Sequence, residues 1–539
     1  MSTTSAPQSP RDLTQRLDEL LRIGVALSGE RDIDRLLEAI LVAAKTITNA
    51  DGGTLYRMTE ERTLRFEIMR NDSLGIAMGG TSGVEIPFYP VHLYDRNGAP
   101  LCSMVAAYAV HHDRSVNIAD AYTEAGFDFS GTRNFDRKTG YRSTSFLTVP
   151  MKNHEGSIIG VLQLINAIDR TTGKVVAFSA EDRLLAESLA SQAAIALTNR
   201  LLIGHLEKLF ESFIRMINAA IDDKSPHTGR HCERVPALTM MLAEAVNDCR
   251  VGPLRDFSMS GADRYELYIA GLLHDCGKVT TPVHVVDKAT KLQTIHDRIE
   301  LIDTRFEVVK REVELEALRT GADGDSLAPR LRAIDEDREF LRRANIGVEA
   351  MSEADIARVR AIATRYRWRA PDGSLRDFLS ADELENLTVR SGTLTADERR
   401  IINHHIDVTI RMLEALPWPG HLRRVPEYAG GHHERMDGRG YPRGLVRGQM
   451  SVQARCMGIA DIFEALTAPD RPYKKGKTLA ESLAILGRFK LNGHIDPDLF
   501  DIFIWSRVYE RYAREFMAPG QIDEVDVTRI PGYSPPPAD

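Results

Sequence analysis

The chain has 539 residues, 43% hydrophobic and 27% charged, the composition of an ordinary globular protein with room for two to four domains. A formal net charge of −8 argues against a polymeric nucleic-acid partner, which would favour a basic face. No apolar run approaches the roughly eighteen residues that a membrane span needs, and MSTTSAPQSPRD at the start has no apolar signal core. The expectation is therefore a cytoplasmic protein without membrane insertion. Five cysteines (Cys102, Cys232, Cys249, Cys276, Cys456) lie scattered without C-x-x-C spacing, which suits a reducing compartment and excludes a cysteine zinc knuckle.

Residues 1–12 are polar and read as disordered. A domain is expected over 13–178. Apolar residues at helical spacing (Leu36, Leu37, Ile40, Leu41, Ala44, Ile47) follow an interruption near Ser28 and Gly29. The period then changes to two. TLYRMTEERTLRFEIM predicts two strands around a polar turn, and SFLTVPM with IIGVLQLINA predicts a second pair across KNHEGS. Helix, strand pairs, an irregular middle, strand pairs and helix make an α+β domain with an antiparallel sheet. Cys102, in the apolar run LCSMVAAY, is expected in its core.

Residues 179–223 read as one connecting helix, with Ser179 as its N-cap and Glu181 and Asp182 in its first turn. Leu202, Leu206, Leu209, Phe213, Met216 and Ala220 recur at steps of four and three. That stripe suits either a parallel coiled-coil homodimer or packing on its own domain. From 224 to 519 the chain is mostly helical, and 520–539 is a tail. Within it, residues 291–390 are dense in Glu, Asp and Arg and read as a helical insertion. Two long helices with solvated charged faces flank the breaker TGADGDS.

Chemistry concentrates in histidines. GLLHDCGK places His274 and Asp275 at the end of an apolar helical stretch. His227, His231, His405, His432, His433 and Asp461 add imidazoles and a carboxylate from distant segments. Imidazole with carboxylate is the donor set of zinc, manganese and non-heme iron. With sixteen histidines in the chain some such groupings arise by coincidence, and spacing alone does not bring the segments together.

HDCGK, HHERMDGRGYPRGL and IADIFEALTAPDRPYKK closely resemble the HD-GYP family of cyclic di-GMP phosphodiesterases, over about residues 228 to 475 apart from the insertion. The resemblance implies an all-α metal-dependent phosphohydrolase domain. His231, His274, Asp275, His405, His432, His433 and Asp461 would be metal ligands, with His405 rather than its neighbour His404. It implies two or three divalent ions, iron or manganese. A pair roughly 3.5–4 Å apart would clamp the attacking and leaving oxygens of a phosphoryl displacement. Asp275 would bridge them and Lys278 would neutralise a phosphate oxygen. Arg471 and Lys474, with Gly440 and Tyr441, would meet substrate. Asp437 would orient a ligand histidine or a loop amide, and Glu434 stays open between that role and plain exposure. Some members hold a third metal with a Glu one helical turn before the first ligand His; here that position is His227, so nuclearity stays open. Segment 291–390 has no counterpart in compact members and is either a gate or an outward ornament.

STSFLTVPMKNHEGSIIGVLQLINA, ADGGTLY and SVNIADAY resemble GAF sensor domains over about residues 16–198. GAF domains that bind cyclic nucleotides carry an Asn-Lys, Phe, Asp-Glu signature. Here it reads Asn166-Ala167, Phe178, Asp182-Arg183, without the Lys and the Glu. A small-molecule ligand such as a cyclic nucleotide and ligand-free dimerisation both remain open. The expectation is thus a multidomain protein, a GAF domain joined by a long helix to an HD-type domain. It would hydrolyse cyclic di-GMP to pGpG or GMP. The alternatives are hydrolysis of another cyclic dinucleotide or phosphoester, and a cyclic di-GMP receptor without turnover.

Overall fold

The computed structural model describes residues 10–30, 32–224, 230–321, 324–347, 350–468 and 476–537. It divides the chain into two compact units, Met1–Leu209 and Phe210–Asp539. Three residues singled out above, His227, Arg471 and Lys474, lie outside the described residues, as does most of segment 1–12.

In the first unit, α1 (Pro10–Gly29) and α2 (Ile33–Thr48) precede the sheet. Asp32 caps α2 by accepting the Arg35 N–H, and Asn49 ends it in the left-handed region (φ 51°). The sheet is antiparallel throughout. It comprises β1 (Ala50–Met58), β2 (Thr63–Asn71), β3 (Ile76–Gly79), β4 (Val91–His92), β5 (Val116–Ile118), β6 (Phe146–Lys152), β7 (Ile158–Ile168) and β8 (Val175–Val176). The order is β3-β2-β1-β7-β6-β5, with β4 on β2 and β8 on β7. Alternation along the strands gives each face its own core. Leu55, Ile68, Leu147, Leu162 and Leu164 meet α2 and the first half of α5 (Ala180–Lys224). Tyr56, Leu64 and Val161 meet α3 (Val105–His112), and Phe146 and Ile118 meet Phe129, at the start of α4 (Ser130–Thr139). Cys102 is half-buried rather than core, because α3 begins only at Val105 and leaves Leu101 and Cys102 on the approach to it. Asp182 accepts the N–H and hydroxyl of Ser179 and so closes the first turn of α5. Further along that helix Leu202, Leu206, Leu209, Phe213 and Met216 are all exposed.

The second unit is mostly α-helical, with one large core and a smaller one in segment 291–390. Its helices are α6 (His231–Asp248), α7 (Gly261–Leu273), α8 (Val283–Val286), α9 (Ile299–Thr320), α10 (Gly324–Asn345), α11 (Glu353–Arg365), α12 (Ala381–Leu387), α13 (Ala396–Asn403), α14 (His405–Glu414), α15 (Val425–Gly430), α16 (Val452–Thr467), α17 (Leu479–Leu491), α18 (Pro497–Trp505) and α19 (Val508–Phe516). Capping boxes at Ser260, Ser380, Thr395 and Thr478 define the starts of α7, α12, α13 and α17. The main core runs through α6, α7, α16, α18 and α19.

Segment 291–390 has a separate core of Phe306, Phe340, Val359, Ile362 and Phe378. It is not wholly helical, since Arg367–Arg369 and Leu375–Asp377 pair as a short hairpin. Its charges are not only solvated faces. Across α9 and α10, Lys310 meets Asp335 at 3.0 Å, Arg338 meets Glu307 at 2.7 Å and Arg342 meets Asp303 at 2.8 Å. Two buried lysines clasp its neck. Lys288 Nζ donates to Asn386 at 2.6 Å and to both oxygens of Glu398 at 2.8 and 2.7 Å. Lys291 Nζ donates to the carbonyls of Leu387 and Val389 at 3.1 and 2.8 Å. A long segment thus leaves and re-enters the domain at one place, and His274 and His405 on either side of it can pack together.

Candidate metal centre

Helix ends build the site. His231 opens α6, His274 is the C-cap of α7, His405 opens α14, and His432 and His433 follow α15. Asp461 projects from the middle of α16. The turn after Asp275 must lie almost on α14: a Cβ on Gly277 would stand 2.0 Å from the His405 carbonyl oxygen. Only glycine permits that approach, and Gly277 N–H donates to Thr409 Oγ1 at 2.9 Å.

The rings share one pattern. His274 Nδ1 donates to the Gly271 carbonyl at 2.7 Å, His432 Nδ1 to Ala429 at 2.6 Å, and His405 Nδ1 to Ile402 at 2.5 Å. Each is the carbonyl three residues earlier, at the end of a helix or helical turn. His231 Nδ1 donates instead to Glu464 Oε2 at 2.6 Å, and Arg234 holds the other oxygen of Glu464 at 2.8 Å. With the Nδ1 protons of these four rings committed outward, their Nε2 atoms turn inward. His231 and His274 Nε2 stand 3.3 Å apart, and Asp275 offers Oδ2 to His231 at 3.1 Å and Oδ1 to His405 at 3.2 Å. Asp461 lies 3.5 Å from His231 and 3.9 Å from His433.

Two ligand groups can be drawn with all donor atoms within 4.8 Å: His231, His274 and Asp275, and Asp275, His405, His432 and His433. Asp275 belongs to both. Asp275 Oδ1, His405 Nε2 and His432 Nε2 are buried with no hydrogen-bond partner. Unsatisfied buried acceptors facing one another are costly unless a cation lies among them, so the residues present fit divalent ions.

The electrostatics agree. Burial, reinforced by His274, pushes His432 down to about 4, and burial with His432 and His405 holds His433 well below its ordinary value, so both rings are neutral at neutral pH. Burial opposes charge on His231, but the Glu464 carboxylate and the bonds to Asp275 and Glu464 outweigh it and raise the ring to about 10. A divalent cation at its Nε2 would displace that proton. Burial likewise opposes ionisation of Asp275, yet Lys278, His274 and His231 hold its carboxyl well below the usual range. Lys278 Nζ reaches Asp275 Oδ2 at 2.6 Å and stays cationic, because Asp275 and Asp461 overcome its desolvation.

The loop after His433 is locked from within. Glu434, whose role the sequence left open, is buried and accepts the N–H groups of Arg443 at 2.7 Å and Leu445 at 2.8 Å. Asp437 accepts the loop amide of Arg439 at 3.0 Å and pairs with the Arg435 guanidinium. A Cβ on Gly440 would stand 2.4 Å from the Arg435 nitrogen, so its place is set by packing. Tyr441 stacks on His433 (centroids 4.8 Å apart, planes at 29°), and the Tyr441–Pro442 bond is cis. His405 is buried and turned inward, whereas His404 is exposed and bonds Asp407 at 3.0 Å.

Sequence reasoning missed Glu464 and Arg234. A step of three along α16 puts Glu464 on the face of Asp461, but its separation of 233 positions from His231 hides the bond. It also missed Arg435, Arg439, Phe489 and His494, which line a cleft of about 480 Å³ with His432, His433, Gly440, Tyr441 and Asp461.

In the first unit a second cavity, of about 590 Å³, lies against the sheet among Tyr56, Phe66, Phe129, Tyr141, Phe146 and Gln163. Asn166 is not among the residues that line it. It is buried at φ 55°, accepts the N–H groups of Thr144 and Ser145 and donates to Tyr141 and the Arg142 carbonyl.

The GAF domain family matches residues 32–197, and the HD domain family matches residues 228–355 and, through a second family description, 381–499. The gap between the two HD matches falls inside the insertion. A cyclic di-GMP phosphodiesterase of Pseudomonas aeruginosa is 38% identical over 24% of this chain and 31% of its own length. A 3'3'-cGAMP-specific phosphodiesterase of Vibrio cholerae is 42% identical over 15% of this chain and 18% of its own. A cGMP-specific 3',5'-cyclic phosphodiesterase of Drosophila melanogaster is 32% identical over 31% of this chain and 14% of its own. The chain thus spans less than a third of the length of these curated relatives. No helix among the described residues is long and apolar enough to cross a membrane. The chain therefore carries an N-terminal GAF domain followed by an HD domain whose histidines and aspartates converge on one centre.

Proposed function

We propose that the protein is a metal-dependent phosphodiesterase of the HD-GYP type that hydrolyses cyclic di-GMP to pGpG or GMP, with its GAF domain as the regulator. The observation that carries this reading is the set of inward-facing Nε2 atoms around Asp275, with Nδ1 of His231, His274, His405 and His432 each held from behind. His231, His274 and Asp275 would hold one ion, Asp275, His405, His432 and His433 another, and Asp461 stands within reach of both groups. The nitrogen and oxygen donors suit iron or manganese, and a third ion would require His227. Such ions supply Lewis-acid stabilisation of phosphoryl oxygens and acidify a water. Lys278 contributes a fixed positive charge where negative charge builds on phosphate. Asp275 orients Lys278 and the rings of His231 and His274. Arg471 and Lys474 keep their assignment to substrate.

A second substrate, 3'3'-cGAMP, is favoured by the identity to the Vibrio cholerae enzyme. The aromatic cavity supports a small-molecule ligand for the GAF domain, a cyclic nucleotide among the candidates, and the exposed stripe of Leu202, Leu206, Leu209, Phe213 and Met216 supports a homodimer. Elemental analysis of purified protein beside chromatography of its products from both cyclic dinucleotides is the test. Linear product made only by metal-loaded protein upholds the reading; bound iron or manganese with no product from either would replace it with a receptor.

A further inference from the structure

The cleft beside the histidines continues away from them, between the loop at 435–441 and the end of α17. Those two segments are stapled through their backbones: the Asp437 N–H donates to the Gly493 carbonyl at 3.0 Å and the Met436 N–H to the His494 carbonyl at 3.4 Å. Two arginines stand on this wall in different states. Arg435 is bound through Nε and Nη2 to the two oxygens of Asp437, at 3.1 and 2.8 Å, so its charge is compensated. Asp437 also fixes the Arg439 backbone, yet the Arg439 guanidinium forms no ion pair among the described residues. Beside them, the rings of Phe489 and His494 stack at 4.6 Å with planes 28° apart and also line the cleft. Burial and the nearby Arg435 push His494 down to about 4, so at neutral pH this is an uncharged flat surface.

We propose that this extension is a second subsite for the substrate, in which Arg439 receives the phosphodiester that is not being cleaved and the Phe489–His494 pair offers a stacking surface to a nucleobase. The inference rests on the phosphodiesterase reading above and narrows it to diesters that carry two phosphates. A phosphodiester held at the histidines leaves nothing to neutralise Arg439 if the substrate is a cyclic mononucleotide. A cyclic dinucleotide brings a second single negative charge and a second base into the same cleft. A guanidinium is suited to a phosphate through its paired N–H donors, and a flat apolar face accepts any base by stacking. Arg439 lies within the GRGYP turn, where its backbone is already held by Asp437.

The test uses the full-length metal-loaded protein with three substrates: cyclic di-GMP, 3'3'-cGAMP and bis(4-nitrophenyl) phosphate, which has one phosphate and no base. Arg439→Ala should lower kcat/KM on the cyclic dinucleotides through KM. The loss should exceed that on bis(4-nitrophenyl) phosphate by at least about tenfold. Arg439→Lys should recover part of the KM, and Phe489→Leu should raise KM on the cyclic dinucleotides in the same selective way. Equal losses on all substrates, or none on any, overturn the subsite while leaving the phosphodiesterase standing. A wild type that hydrolyses bis(4-nitrophenyl) phosphate and neither cyclic dinucleotide overturns the substrate reading itself.

Discussion

The insertion and the histidine centre both bury polar groups, and they do so in opposite ways. In the insertion and its neck the buried charges are hydrogen-bonded, Lys291 to carbonyls and others to opposite charges. Lys288 meets Glu398 and Asn386, Glu383 meets Arg305 at 2.7 Å, and Asp337 meets Arg365 at 2.6 Å and Tyr366 at 3.0 Å. In the centre, Asp275 Oδ1, His405 Nε2 and His432 Nε2 are equally buried and have no hydrogen-bond partner. Satisfied buried polarity fixes structure; unsatisfied buried polarity is held in place by other interactions and awaits a ligand. The difference also shows where stability should and should not depend on charge.

The largest effect should come from the centre. His405→Ala should lower phosphodiesterase turnover at least roughly a thousandfold and the melting temperature of metal-stripped protein only modestly, since it loses the Nδ1 bond to the Ile402 carbonyl but no hydrogen bond at Nε2. Adding manganese to stripped wild type should raise the melting temperature by ligand linkage, and the variant should lose that shift. A variant that melts markedly lower without metal would erase the contrast.

Next is the neck of the insertion. Glu398→Gln keeps the shape of the capping box but leaves the Lys288 ammonium buried with only neutral partners. The cost should be about 3 kcal/mol in denaturant unfolding; a change within error would show that water reaches Lys288.

Between the two kinds of buried polarity stands Glu464, which is satisfied by His231 and Arg234 and yet serves the centre. Glu464→Gln should weaken metal binding by about 10–100-fold, with metal titration as the readout. Unaltered metal affinity with reduced thermal stability would class it with the insertion instead. The smallest effect belongs to the surface pairs of α9 and α10. Lys310→Ala, which removes a partly exposed partner of Asp335, should cost less than about 1 kcal/mol.

The fold class was legible because periodicity reports burial. Leu36, Leu37, Ile40, Leu41, Ala44 and Ile47 at helical steps are all buried on α2, and the alternation in TLYRM and IIGVLQLINA marks strands with two covered faces. Short elements escaped: β4, β5, α3 and α4 are two to ten residues long, too short for a period to show. The charges of 291–390 suggested solvated faces because composition cannot tell a cross-helix pair from a solvated one. Histidine and aspartate supplied the types of donor in the site, and the HHERMDGRGYP motif supplied the grouping. The backing by Glu464, the carbonyl partners of Nδ1 and the wall of Phe489 and His494 had no local signal.

By itself the sequence determined the donor chemistry, the strand and helix periods and the caps, since each depends on residues a few positions apart. Only the tertiary structure decided which nitrogen of each histidine faces inward, that Asp275 stands between two ligand groups, and that a cationic arm and two stacked rings extend the cleft. Those outcomes depend on helix ends brought together across the insertion, and the direction of a ring is set by the one hydrogen bond behind it, which no spacing records.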